Sequence, residues 1–224
     1  MIAEKMNSGQ RAVRDEQKLE RRQAILETAW KMFLHASYED VTIAAVAEAS
    51  GLAKGTVYLY FKTKEELFLS IQEQQLAAWF DEVDACLEAT SGKCTVPQVV
   101  SIICNTLIHR PGLTRLLAIL HITLEHNVDY DTALRFKHML LRHLLQTGTL
   151  LEQCLPFLTQ GEGVQLLLRS HALVIGLQHL SDPAPIIKDV LQEPDLQIFE
   201  IDFAREFSDS LESMLYGLES RSKQ

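Results

Sequence analysis

Much is missing from this 224-residue chain. Its four cysteines, Cys86, Cys94, Cys104 and Cys154, form no Cys-x-x-Cys pair, which excludes a zinc knuckle or disulfide framework and predicts reduced, buried thiols. No run of about 18 uninterrupted apolar residues occurs. The opening MIAEKMNSGQ lacks the charged-then-apolar layout of a secretory signal, so a cytoplasmic protein with no membrane segment is expected. Apolar-polar alternation long enough for a sheet is missing, as is any internal repeat. The sequence has no Gly-x-Ser-x-Gly elbow, no His-Glu-x-x-His and no paired Glu-x-x-His. The glycines of Gly161-Glu162-Gly163 lack the strand, lysine and spacing of a phosphate loop. His121 and Glu125 share a helix face, but no further ligand is marked. No metal, cofactor or enzymatic activity is expected.

What is present is ordinary for a folded protein: 47% hydrophobic and 23% charged residues, enough for two cores. The net charge of −9 argues by itself against a nucleic-acid partner, but its distribution reverses that reading. Residues 1–70 hold ten Lys/Arg and ten Asp/Glu, whereas 71–224 hold eleven and twenty, so all the excess acid lies in the second part. Within Gly51 to Lys64 the balance is +3, from Lys54, Lys62 and Lys64, which makes this the place to meet an anion.

Residues 1–17 are polar and are read as a flexible tail whose Arg11 and Arg14 are not expected to reach a minor groove. A first helix is expected from Lys18 to Ala36, with Ile25, Ala29, Met32 and Phe33 on one stripe. Thr42 N-caps a second, Ile43 to Ala49. Gly51 suits a left-handed turn, and Lys54 to Tyr60 forms a third of about two turns. Thr63 and Glu66 have the spacing of a capping box that opens a long fourth helix to about Ala89. Further helices are expected over Val96 to His109, Gly112 to His126, Asp131 to Gln153, Gly163 to Leu180 and Glu200 to Leu218. The fold is expected to be all-α: a helix-turn-helix domain at 18–66, then a larger helical bundle at 67–224.

Helix, glycine turn and short helix over Ile43 to Tyr60 have the anatomy of a helix-turn-helix. Gly55 permits close backbone approach, Thr56 offers a hydroxyl and a methyl, and Tyr58 and Tyr60 offer rings and phenolic donors, all usable against base edges in a major groove. Lys54, Lys62 and Lys64 flank them as counter-charges for phosphates. Each tyrosine has a bland reading as a half-buried packing residue, and Lys62 one as an ordinary exposed lysine.

The stretch TIAAVAEASGLAKGTVYLYFKTKEEL resembles the DNA-binding signature of the TetR family of transcription regulators, and the resemblance spans about residues 18–70. It implies that Thr42 caps its helix against a phosphate, that Lys54, Thr56 and Tyr58 face the groove, that Tyr60 and Lys64 hold the backbone, and that Phe61 packs inside. It also implies a homodimeric repressor of a palindromic operator on double-stranded DNA, with 163–180 and 200–218 forming the dimer contact. The first of these two segments is apolar nearly all round, unlike a one-sided surface helix. A small-molecule effector held among the middle helices is implied as well. Trp79, Phe80, Ile103, Leu107, Leu120, His121, Leu124, Phe136 and Leu140 are the candidate contacts, although such an apolar stripe also serves as plain core. A helical protein-binding adaptor with a vestigial DNA reader is the alternative.

Overall fold

The computed structural model describes the backbone of residues 2–119 and 127–223 and the side chains of residues 15–119 and 127–223. Its described elements are helical: α1 (Ile2–His35), α2 (Ile43–Ala49), α3 (Lys54–Tyr58), α4 (Lys64–Glu88), α5 (Val96–Ile108), α6 (Pro111–Ile119), α7 (Tyr130–Cys154), α8 (Glu162–Ser181), α9 (Pro185–Val190) and α10 (Phe203–Ser222), with a 3-10 turn at Gln197–Phe199. The all-α expectation is met. The chain divides into two compact units, Met1–Ile71 and Gln72–Gln224.

Three expectations change. Helical backbone begins at Ile2 rather than Lys18; the polar segment is rich in Ala, Glu, Lys, Arg and Gln, all good helix formers. α3 stops at Tyr58, because the Tyr60 and Phe61 N–H groups both donate to the Val57 carbonyl at 3.0 Å, tightening the last turn and ending the ladder. The Pro-flanked stretch between α8 and α10 holds α9, whose Pro185 occupies a first-turn position that needs no N–H.

In the first unit, Ile25, Leu26, Ala29 and Phe33 of α1 are buried together with Ile43, Val46 and Ala47 of α2, Val57 of α3, and Leu67, Phe68 and Ile71. Phe68 is the aromatic hub. It meets Phe33 edge-on at 5.4 Å and Tyr38 at 4.8 Å, offset geometries that aromatic pairs favour.

In the second unit α7 packs on α8, α8 on α6 and α10, and α10 on α5. Polar ties fix the register between helices. Trp79 Nε1 of α4 donates to Thr106 Oγ1 of α5 at 3.1 Å. Asp84 of α4 accepts from Gln146 at 2.8 Å and Thr147 at 2.5 Å, both on α7. Burial pushes the Asp84 carboxyl above the usual aspartate range, and these two hydrogen bonds oppose that shift.

α7 and α8 meet at a pair of glycines that leave no room for a side chain between them. A Cβ on Gly148 would meet Val164 Cγ2 at 2.8 Å, and one on Gly163 would meet the Gly148 Cα at 2.9 Å. Gly176, by contrast, has open space within the chain where a Cβ would stand. Gly163→Ala is therefore expected to lower the unfolding free energy by about 1–3 kcal/mol through overpacking, read by urea denaturation. The usual gain of a helical Gly→Ala change, about 0.5–1 kcal/mol, does not offset this.

Candidate functional site

The first unit presents its chemistry on a turn and a five-residue helix. Thr42 N-caps α2, its Oγ1 accepting from the Ala45 N–H at 3.1 Å; the hydroxyl proton is left to donate outward. α2 ends where Gly51 takes φ +66° and the Leu52 N–H returns to the Ala47 carbonyl at 2.9 Å. Such a left-handed turn is one that glycine makes without steric cost. It redirects the chain into α3, where Val57 alone among the helix residues is buried.

With Val57 turned in, its neighbours turn out. Lys54 and Gly55 are exposed and Thr56 is half-buried. Tyr58 is 44% exposed and Leu59 80% exposed. The Lys54 ammonium lies 5.9 Å from the Tyr58 ring centroid, within cation–π range. Tyr60 is half-buried in the following turn, and Lys62 is exposed. The structure thus brings Lys54, Gly55, Thr56 and Tyr58 together on one exposed element, with Leu59 beside them. Sequence reasoning passed over Leu59; its signal was a large apolar residue between two tyrosines that periodicity leaves off the core face.

The residues behind this face hold it in place. Phe61 is buried, with the Arg22 guanidinium 5.0 Å above its ring and Arg22 also donating to Ser70 Oγ at 3.0 Å. Thr63 Oγ1 accepts from the Glu66 N–H at 3.0 Å, as a capping box requires. The Glu66 carboxylate reaches one residue further back, to the Lys62 N–H at 2.7 Å. Lys64, expected on a DNA phosphate, is engaged within the unit. Its ammonium donates to the Tyr38 carbonyl and stands 3.9 Å from the Tyr38 ring centroid. Burial lowers its basicity, opposed by the charges of Glu39, Glu65 and Asp40.

The second unit contains a small apolar pocket with a cavity volume of about 50 Å³. Trp79, Phe80, Ile103, Leu107 and Leu140 line it as expected, joined by Leu76, Leu117, Leu144, Leu167, Leu168, Ser170, His171, Val174 and Phe207. Phe136 is buried at 2% exposure but is not among the lining residues. Leu120, His121 and Leu124 lie outside the described residues. The contribution of α8 was missed because its all-round apolar pattern was assigned wholly to a dimer contact, whereas Leu167, Ser170, His171 and Val174 line the cavity. No charged side chain is among the lining residues, and Ser170 Oγ donates to the Leu166 carbonyl at 2.8 Å. Among the described residues no group of three or more His, Cys, Asp or Glu could hold a metal ion. No described helix is long and apolar enough to cross a membrane.

A small helical unit with a glycine-turned helix pair, followed by a larger helical unit with an apolar pocket, defines a helix-turn-helix regulator fold. The family description "Bacterial regulatory proteins, tetR family" matches residues 25–71, and "Tetracyclin repressor-like, C-terminal domain" matches residues 73–222. The chain belongs to the TetR family of transcriptional regulators. It is similar to the HTH-type transcriptional regulator YhgD of Bacillus subtilis (strain 168), with 37% identity over 70 residues, 31% of this chain and 37% of that protein. It is also similar to the HTH-type transcriptional repressor AcnR of Corynebacterium efficiens, with 36% identity over 62 residues, 28% of this chain and 33% of that protein. The matches thus span only about a third of these relatives' lengths. Among solved structures, the fatty acid degradation regulator FadR from Bacillus halodurans has a TM-score of 0.52 at 18% identity, covering 85% of this chain and 97% of that one. The TetR family transcriptional regulator PfmR from Thermus thermophilus has a TM-score of 0.50 at 16% identity, covering 84% and 96%. These two likenesses concern the fold.

The interior position of the Lys64 ammonium carries an expectation for stability. Lys64→Met is expected to cost the first unit about 1–2 kcal/mol, through a lost charge-assisted hydrogen bond and cation–π contact. Urea denaturation followed by the fluorescence of Trp30, in a Trp79→Phe background, measures it; an unchanged midpoint would contradict the interior role.

Proposed function

We propose that the protein is a homodimeric repressor that reads a palindromic operator on double-stranded DNA and is released by a small, largely apolar effector. The observation that carries this reading is the composition of α3: one residue, Val57, is anchored inside, and Lys54, Thr56, Tyr58 and Leu59 are left for a partner. In a major groove the Thr56 methyl and hydroxyl, the Tyr58 ring and phenol, and the Leu59 side chain meet thymine methyls and base edges. Lys54 and Lys62 neutralise phosphates, and the Thr42 hydroxyl donates to another. Tyr60, half-buried, supports the face and has its phenol for a backbone contact. Lys64 contributes its field to the same side while its hydrogen bonds remain internal.

So short a reader covers too few bases for genomic specificity, and pairing two readers about one DNA turn (~34 Å) or a multiple apart supplies the rest. The outer faces of α8 and α10 suit the dimer contact. Leu180 of α8 and Tyr216 of α10 are exposed large apolar residues at 59% and 46%. Gly176, open within the chain, lets a neighbouring helix come close. The largely apolar lining of the pocket in the second unit favours an effector whose bulk is apolar.

Selection of genomic fragments by the purified protein, followed by titration of the recovered duplex in a mobility-shift assay, tests DNA reading directly. Thr56→Ala/Tyr58→Ala is expected to weaken specific binding by about 10–100-fold while leaving the helical circular dichroism unchanged. Unaltered operator affinity in that double variant would remove α3 from the groove, and dimerisation without retention of any duplex would favour a protein-binding adaptor. Gly176→Arg is expected to convert the dimer to a folded monomer in sedimentation analysis and to abolish binding to the full palindrome; a persistent dimer would place the contact elsewhere.

A further inference from the structure

A pair of thiols in the second unit lies apart from the apolar pocket. After α4 the chain reverses through Ser91 at φ 57° and Gly92 at φ 77°, both in the left-handed region that β-substituted residues rarely enter. The reversal sets Cys94 against the last residue of α7. The Cys94 N–H donates to the Cys154 carbonyl at 3.0 Å, a bond between the two residues themselves that leaves their Cα atoms no more than about 7 Å apart. That lies within the reach of a disulfide bridge, with little backbone movement needed.

The side chains converge as well. Cys94 Sγ donates to Thr90 Oγ1 at 3.1 Å and Cys154 Sγ lies 3.4 Å from the same oxygen, so both sulfurs meet on one hydroxyl. Their environments differ in a useful way. Cys94 is partly exposed, so a solvent oxidant reaches it first. Cys154 is 2% exposed, and burial pushes its thiol up, so it stays protonated and shielded from solvent oxidants.

We propose that Cys94 and Cys154 form a peroxide-responsive dithiol that closes into an intramolecular disulfide, joining the α4–α5 turn to the end of α7. The Cys94 thiolate attacks the O–O bond of a hydroperoxide, keeping one oxygen as a sulfenic acid and releasing the other as water or an alcohol once it has taken up a proton. Cys154 Sγ then attacks Cys94 Sγ, the S–O bond breaks, and the hydroxyl leaves as water with the Cys154 thiol proton. Two thiols are oxidised by two electrons and one peroxide is reduced. α7 also carries Leu140 and Leu144 of the pocket wall, so closure restrains that helix at its C-terminal end. The proposal is independent of DNA reading.

The full-length protein is treated with hydrogen peroxide, alkylated with N-ethylmaleimide under denaturing conditions, and mapped by mass spectrometry. Two of the four cysteines are expected to escape alkylation, with one dithiothreitol-reversible cross-linked peptide pair containing Cys94 and Cys154. Cys86→Ser/Cys104→Ser is expected to retain the cross-link and Cys94→Ser to abolish it. Sulfinic or sulfonic acid at Cys94 with Cys154 still alkylated, or a disulfide joining any other pair or two chains, would overturn the proposal. The wild-type peptide map decides this even if Cys94→Ser perturbs the turn.

Discussion

The burial of Val57 is the contact on which the first unit's outward chemistry depends. A helix of five residues is far shorter than the roughly 12–15 residues an isolated helix needs in water, so α3 exists only because its surroundings impose it. Two constraints suffice. Gly51 in the left-handed region sets the direction in which the chain leaves α2, and Val57, fully buried, sets the rotation of the helix about its own axis. Once those are fixed, Lys54, Thr56, Tyr58 and Leu59 have no interior to enter. Their exposure follows from the fold, and the hydration they keep is available for exchange against another polar surface.

The positive charge of this region is divided between two uses. Lys54 and Lys62 stand outward, whereas the Lys64 ammonium crosses the α1–α2 loop to the Tyr38 carbonyl and Arg22 lies over Phe61. Each internal cation fixes a backbone or ring behind the exposed face. Lys64 ties the start of α4 to the loop that precedes Thr42, and Arg22 ties α1 to the residue after Tyr60. A segment that reads as three equivalent lysines is therefore two outward charges and one brace. This changes what a lysine deletion tests: loss at position 64 acts through the fold before it acts through any field.

The parts of this organisation that are local in chain were legible in the residues. Thr42 as a cap, Gly51 as a left-handed turn and the Thr63/Glu66 box each depend on atoms within a few positions, so their side-chain chemistry announces them. The ends of α3 and the start of α1 were not, because helix propensity changes little across them and hydrogen bonds near a terminus are decided by competition among carbonyls. The internal contact of Lys64 was not legible for a different reason: its partner, the Tyr38 carbonyl, is distant in sequence and is a backbone atom with no residue-type signature. Trp79, Phe80, Ile103, Leu107 and Leu140, named as candidates on an apolar stripe that also serves as plain core, line a pocket, but α8 was assigned one purpose. An all-round apolar helix has two apolar faces, and only packing tells that Leu167 and Val174 face a cavity while Leu180 is exposed.

On the proposed function, the apolar lining bounds how release of a dimer by an effector would work. Moving a two-state protein from 1:99 to 99:1 takes about 5.5 kcal/mol of differential affinity, however tightly the ligand binds overall. With no charged side chain in the pocket wall, most of that difference has to come from apolar contact. At about 25 cal/mol per Å² it corresponds to roughly 220 Å² more buried apolar area in one state. A dimer with one pocket per protomer halves the requirement to about 110 Å² per site, less than the area of one aromatic side chain, about 150–250 Å². A modest rearrangement of Trp79 or Phe80, both in the wall, is thus of the right size. Trp79 is held by its hydrogen bond to Thr106, whereas Phe80 stacks on His143 at 5.2 Å with no directional bond. On that reading Phe80, which lacks such a bond, is the ring whose position an effector would select.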